Sequence, residues 1–154
     1  MIFLKFLNQN EKKELIKKLN EQFGIKEIPW PIAKWGNERI IIFSGDANEK
    51  EIEKIRELTI IEGIGLYFAK EEYGLRLSLE ATQLLKSQIT KNIFELDDKQ
   101  AEEWMKGHEL NIQTGKKGFV IMKYKDDFLG CGKASENKIS NFVPKERRLK
   151  EKNN

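Results

Sequence analysis

The stretch that decides the architecture is Gly118-Phe119-Val120-Ile121-Met122-Lys123-Tyr124, then Lys125-Asp126-Asp127, then Phe128-Leu129-Gly130-Cys131-Gly132-Lys133-Ala134. β-Branched and aromatic residues crowd both flanks, and the polar residues between them read as a tight turn, so a β-hairpin is predicted. Glycines inside the second strand fit a place where a sheet curves or where another backbone approaches closely. Residues 137–141 turn again and lead into Phe142-Val143-Pro144. Short strands joined by tight turns suggest a small barrel.

Working outward toward the N-terminus, Asp97 precedes Asp98-Lys99-Gln100-Ala101-Glu102-Glu103-Trp104-Met105-Lys106. Asp97 with Gln100 three residues later is a capping-box signal, Gly107 ends the helix, and Trp104 reads as a core anchor. Residues 91–96 form a candidate strand, and Ser78 or Thr82 starts a short helix running through Leu84 and Leu85. The first half mixes helix and strand. Asn10 is a candidate cap for a helix over 11–22, whose Leu15, Ile16, Leu19 and Phe23 keep helical spacing and which Gly24 closes. Pro29 and Pro31 enforce an extended path, with Trp30 and Trp35 over the core, and residues 39–44 read as a strand. A turn at 45–48 and a helix over 49–58 follow, with Ile52, Ile55 and Leu58 on one face, and 60–69 returns to extended chain. Gly63-Ile64-Gly65 lacks the further glycine and the helix that a dinucleotide loop needs. The expected fold class is α+β: a small N-terminal α/β domain over 1–72, a β-barrel domain over 73–150 and a basic polar tail at 151–154. Neither half is large enough to promise a core alone, so an appreciable interface between them is expected.

Of 154 residues, 39% are hydrophobic and 34% are charged, enough for a real core beneath a well-hydrated surface. Apolar runs such as 39–43 have strand length, far below the roughly 20 residues of a membrane-spanning helix. The apolar start at 1–7 has neither a basic flank nor a small-residue cleavage site, so no signal peptide is expected. The single cysteine, Cys131, points to a reduced, cytoplasmic protein. Charge is unevenly placed. Residues 116–154 hold eleven Lys or Arg against five Asp or Glu, a net +6, whereas the first 115 residues stand at −3. A polyanion is therefore drawn to the C-terminal end.

Catalytic chemistry finds little to work with. Cys131 lies between glycines in a strand, and its only histidine partner would be His108. One cysteine and one histidine are too few soft ligands for a structural zinc. The acidic pairs Glu71-Glu72 and Asp97-Asp98 are neighbours that face different ways and read as solvated. No catalytic residue, metal or cofactor is expected, and the chain reads as a binding protein rather than an enzyme.

Three stretches carry a family resemblance: Tyr73-Gly74-Leu75-Arg76-Leu77-Ser78; Ile93-Phe94-Glu95-Leu96 with the helix ending in Trp104-Met105-Lys106-Gly107-His108-Glu109-Leu110; and Gly118 through Leu129-Gly130-Cys131-Gly132-Lys133 to Lys145-Glu146-Arg147-Arg148. Together, over roughly 62–150, they resemble a PUA domain, the RNA-binding module named after pseudouridine synthases and archaeosine transglycosylases. The nearest likeness is the PUA-like C-terminal domain of the Sun-family RNA cytosine-C5 methyltransferases. Gly130, Gly132, Lys133, Asn141, Pro144, Lys145 and Arg148 match that family's pattern. Cys131 replaces an aromatic residue and Ser140 a lysine. The order of a small α/β domain and then a PUA domain also resembles small ribosome-biogenesis adaptors.

The resemblance implies an RNA-binding adaptor for ribosomal or transfer RNA, in RNA modification or ribosome biogenesis. An RNA methyltransferase or a ribosome-assembly protein is the implied partner, and no membrane is involved. The alternative is an adaptor that docks on an RNA-modifying enzyme with little RNA contact of its own. Lys133, Lys145, Arg147 and Arg148 are the expected RNA contacts, with Lys123, Lys138 and Arg76 weaker. Lys133 follows small residues that would let an RNA backbone come close. Asn141 and Phe142 lead to Pro144, which stiffens the path to Lys145, and Phe142 is the nearest candidate for base stacking. The other reading puts Phe142 in the core and leaves the charges as a solvated C-terminus.

Overall fold

The computed structural model describes residues 4–43 and 65–150. The turn at 45–48 and the helix over 49–58 expected from the sequence lie outside the described residues. So does the tail at 151–154.

The chain opens with β1 (Leu4–Phe6) and enters α1 (Gln9–Phe23). Asn8 is the cap, rather than Asn10. Its side chain accepts the Glu11 N–H at 2.9 Å while the Glu11 carboxylate accepts the Asn8 N–H at 3.1 Å. This reciprocal box satisfies two of the amides that a helix start leaves unpaired, and it places Asn10 inside the first turn. Leu15, Leu19 and Phe23 line up on one buried face, and Gly24 ends the helix, its N–H donating to the Asn20 carbonyl. Then follow β2 (Ile32–Trp35), β3 (Arg39–Ile42), β4 (Leu66–Glu72) and β5 (Gly74–Leu77). With β1 they make an antiparallel five-stranded sheet in chain order.

The boundary expected at residues 72 and 73 falls inside this sheet, at the tip of the β4–β5 hairpin. After it come α2 (Leu79–Leu84), capped by Ser78, whose hydroxyl accepts the Ala81 N–H, and a 3-10 turn at Lys86–Gln88. The second sheet holds β6 (Ile93–Glu95), β7 (Gly118–Tyr124), β8 (Asp127–Ala134) and β9 (Ile139–Asn141), ordered β6-β7-β8-β9. The deciding hairpin β7–β8 forms as read. β6 runs parallel to β7, and Leu110 extends the other edge by a bridge to Ile139. Between β6 and β7 lies α3 (Asp98–Met105), with Asp97 and Gln100 making the predicted capping box. This α+β arrangement, with a PUA-like C-terminal β domain, is the expected fold class.

Two cores hold it together. One lies inside the second sheet around Trp104, which is fully buried and donates from Nε1 to the Leu129 carbonyl at 2.7 Å. The other is shared: Leu19, Phe23, Phe68 and Leu75 from the first half join Phe119, Ile121, Phe128 and Cys131 from the second. Apolar burial of this kind is the main favourable term in folding. A single cluster spanning both sheets therefore fixes them against each other, as the size argument required. Trp30 is half-buried against the shared core, and Trp35 against a smaller cluster of Leu4, Ala33 and Phe43.

Candidate nucleic-acid interface

The sites expected at the C-terminal end divide into residues that hold the domain together and residues that face outward. Asn141 belongs to the first group. Its amide donates to the Trp104 carbonyl at 2.8 Å and the His108 carbonyl at 3.0 Å, and its oxygen accepts the Val143 N–H at 2.8 Å. An amide bonded three ways inside the fold ties β9 to the end of α3. Arg148 is also bonded within the domain. Its Nε donates to the Val143 carbonyl at 2.9 Å, and its guanidinium lies across Gly107. A Cβ on Gly107 would stand 2.4 Å from that nitrogen, so the glycine that ends α3 also makes room for the arginine.

The small residues before Lys133 have an internal explanation too. A Cβ at Gly132 would stand 2.6 Å from the Ile139 side chain and 2.8 Å from the Trp104 ring. The glycine makes room for the tryptophan.

Three of the expected cations carry carboxylate partners, and so does Lys70, which sequence reading did not single out. Arg147 meets Glu80 at 2.7 Å, Lys138 meets Glu109 at 3.2 Å, and Lys123 meets Glu95 at 3.9 Å; Lys70, from the first half, meets Glu72 at 3.3 Å and Glu38 at 3.6 Å. Exposed pairs of this kind are worth roughly 0–1 kcal/mol, so a phosphate can replace the carboxylate at small cost. Arg76, Lys133 and Lys145 form no ion pair with any described residue.

Arg76 and Lys133 lie in a row that crosses both sheets. Arg39 on β3 pairs with Lys70 on β4, and Lys70 pairs with Arg76 on β5. Directly paired residues face the same side of a sheet, so three cations line one face. The β3–β4 register shifts between Ile40 and Ile41, and the extra residue on β4 turns Tyr67 to that same face. There its ring centroid is 5.9 Å from the Arg39 guanidinium. The Arg76 guanidinium sits 4.1 Å from the Phe142 centroid, and Phe142 lies 6.4 Å from Phe119. Phe119 pairs across β7–β8 with Lys133, whose ammonium is 5.7 Å from the ring. Cations and rings thus lie together along the rim of the shared core. A shallow cleft of about 90 Å³ opens on this rim, lined by Tyr67, Arg76, Glu80, Phe142 and Pro144.

Phe142 is half-buried against the shared core, and the Arg76 guanidinium lies over its ring. A positive groove with ring faces along it is how proteins track single-stranded nucleic acid. Sequence reading missed Arg39, Tyr67, Lys70 and Phe119. The last was legible as a strand residue and the first three only through the register.

The chemistry of Cys131 is that of a packing residue. It is buried in the shared core, and desolvation pushes its thiol up to about 12, far from the range in which a thiolate attacks. His108 Nδ1 lies 2.5 Å from a Glu103 carboxylate oxygen, and that hydrogen bond holds Glu103 below the usual carboxylate range. Among the described residues no group of three or more His, Cys, Asp or Glu is placed to hold a metal ion, and no helix is long and apolar enough to cross a membrane.

Residues 91–149 match the family of the methyltransferase RsmF PUA domain. That span holds β6 through the C-terminal 3-10 turn at Lys145–Arg147, including Phe119, Lys133 and Phe142. It bears out the resemblance read from the sequence, and the RsmF-type PUA domain supports RNA binding. Longer similarities cover both sheets. The ribosomal RNA small subunit methyltransferase F of Vibrio campbellii is 29% identical over 147 residues, covering 90% of this chain and 30% of the relative. That of Vibrio cholerae is 27% identical over 142 residues, and that of Vibrio vulnificus 31% over 77 residues. The chain spans about 30% of the length of the first of these relatives.

Proposed function

We propose that this chain is an RNA-binding adaptor for ribosomal RNA that supplies grip while a separate methyltransferase supplies chemistry. The observation that carries the reading is the row of cations and rings from Arg39 to Lys133, running from one sheet onto the other. Phosphates meet Arg76 and Lys133, which have no carboxylate to displace, and arginine adds a planar fork that fits phosphate oxygens. The similarity to RsmF reaches over 90% of the chain, which agrees with a surface built by both sheets rather than by the PUA domain alone. The name of those relatives favours small-subunit ribosomal RNA over transfer RNA. The buried, protonated Cys131 agrees with a binding role, because a cysteine nucleophile needs a thiolate within reach of substrate.

The test has two parts. Crosslinking in cells followed by sequencing is expected to enrich ribosomal RNA; enrichment of transfer RNA would redirect the reading, and recovery of proteins without RNA would favour docking on an enzyme. A methyl-transfer assay with the purified chain is expected to give no product until a partner methyltransferase is added. Robust methylation by the chain alone would overturn the division of labour.

A further inference from the structure

We propose that Tyr73 is a base-stacking residue, and that the surface around it takes unpaired RNA rather than continuous duplex. Tyr73 stands at the tip of the β4–β5 hairpin with 98% of its surface exposed. A tyrosine in water contributes no packing to the fold, whereas most other aromatic rings among the described residues lie in or against a core.

The tip that carries it is held firmly. Gln22 of α1 accepts the Leu75 N–H at 2.8 Å and donates to the Leu75 carbonyl at 2.9 Å. Glu71 is gripped by Lys18 at 2.9 Å and Lys34 at 3.2 Å, and Glu72 by Lys70 at 3.3 Å. These contacts on both sides of Tyr73 keep the ring projected from a fixed base. They also offset the two carboxylates that would otherwise repel a phosphate. Pre-organisation of this sort lowers the ordering cost of binding.

The place of the tip in the fold names the ligand. Gly74 lies against the Phe119 ring, since a Cβ there would be 3.4 Å from Phe119 Cδ2. Lys133 stands over that same ring, and Arg76 follows on β5 over Phe142. Tyr73 therefore adjoins a glycine packed on the ring that Lys133 covers, and it precedes Arg76 by three residues on the same hairpin; neither cation has an ion pair among the described residues. A polyanion that also presents flat faces satisfies both features. Nucleic-acid bases offer a face to a ring only where they are unpaired; in a continuous duplex those faces are covered by neighbouring bases, and recognition falls to backbone and groove.

This inference rests on the RNA-binding reading, and its test separates the two. The full chain is titrated by fluorescence anisotropy with a labelled unstructured RNA and with a blunt RNA duplex of equal length. Wild type is expected to prefer the single strand. Tyr73→Ala is expected to weaken single-strand binding by about fivefold to about 150-fold and to leave duplex binding unchanged, while Tyr73→Phe keeps wild-type affinity. Wild type that binds the single strand with unchanged affinity in Tyr73→Ala, or that prefers duplex, overturns the stacking role and leaves RNA binding standing. Wild type that binds neither RNA overturns both. Circular dichroism of each variant is expected to match wild type, because the replaced ring touches no core.

Discussion

Replacing Arg76 and Lys133 together with alanine removes the two cations of the cross-sheet row that no described carboxylate neutralises. Each phosphate contact on a single strand contributes about 0.7 to the slope of log affinity against log salt. If both side chains meet phosphate, the double variant has a slope shallower by about 1.4. Between 50 and 200 mM salt that difference amounts to about sevenfold less loss of affinity than wild type suffers. The fold survives. Arg76 lies 4.1 Å from the half-buried Phe142 ring and Lys133 5.7 Å from Phe119, and the two contacts together are worth about 1–2 kcal/mol. For a chain of this size that lowers Tm by roughly 2–8 °C. Anisotropy titrations over a potassium chloride series, with thermal melts run beside them, measure both quantities. A folded double variant whose affinity and salt slope equal those of wild type would refute the placement of the interface.

Other expectations separate structural from binding roles. Arg148→Ala is expected to cost about 1.5–3 kcal/mol in urea unfolding, the range for a hydrogen bond to a charged group, because it strips the Val143 carbonyl of its donor. Lys145→Ala and Arg147→Ala are expected to stay within about 1 kcal/mol of wild type, so a triple replacement that includes Arg148 confounds stability with binding. Gly132→Ala is expected to destabilise by about 1–3 kcal/mol through its clash with Trp104 and Ile139, measured by the same urea titration. The Cys131 thiol, raised to about 12 when folded, favours the native state fully below the ordinary thiol range. That contribution fades as pH rises through the ordinary range toward about 12. Native protein at pH 8 should therefore resist alkylation until denaturant is added, and ready labelling of folded protein would contradict the burial. Glu71, held low chiefly by its hydrogen bond to Lys18, works in the opposite direction: its contribution is present above the ordinary carboxylate pKa and is lost as pH falls through its own. Glu71→Gln is expected to flatten the acid limb of a stability-against-pH curve, and an unchanged limb would remove Glu71 from the account.

Local signals in the sequence determined much of this protein, because caps, turns and periodicity act over a few neighbouring residues. Asp97 with Gln100 marked the start of α3, Ser78 or Thr82 the start of α2 (the structure uses Ser78), Gly24 closed α1, and the alternation around Lys125-Asp126-Asp127 marked the β7–β8 hairpin. Trp104 was legible as an anchor from its place on a short capped helix. The Asn8 cap was missed in favour of Asn10 because two asparagines stand within one turn, and only the bond to Glu11 distinguishes them. What tertiary structure alone decided is which distant residues meet. The shift between Ile40 and Ile41 turns Tyr67 to the face of Arg39, Lys70 and Arg76, and a register shift leaves no mark in composition. The shared core brings Phe142 under Arg76 and Phe119 under Lys133, so a row of cations read as C-terminal charge also draws on the first sheet. Arg148 and Asn141 match a family pattern of basic and polar residues, yet their partners are backbone carbonyls of their own domain. A side chain's chemistry is written in the sequence, but whether it is spent inside the fold or left for a ligand depends on the carbonyls and rings that folding places beside it.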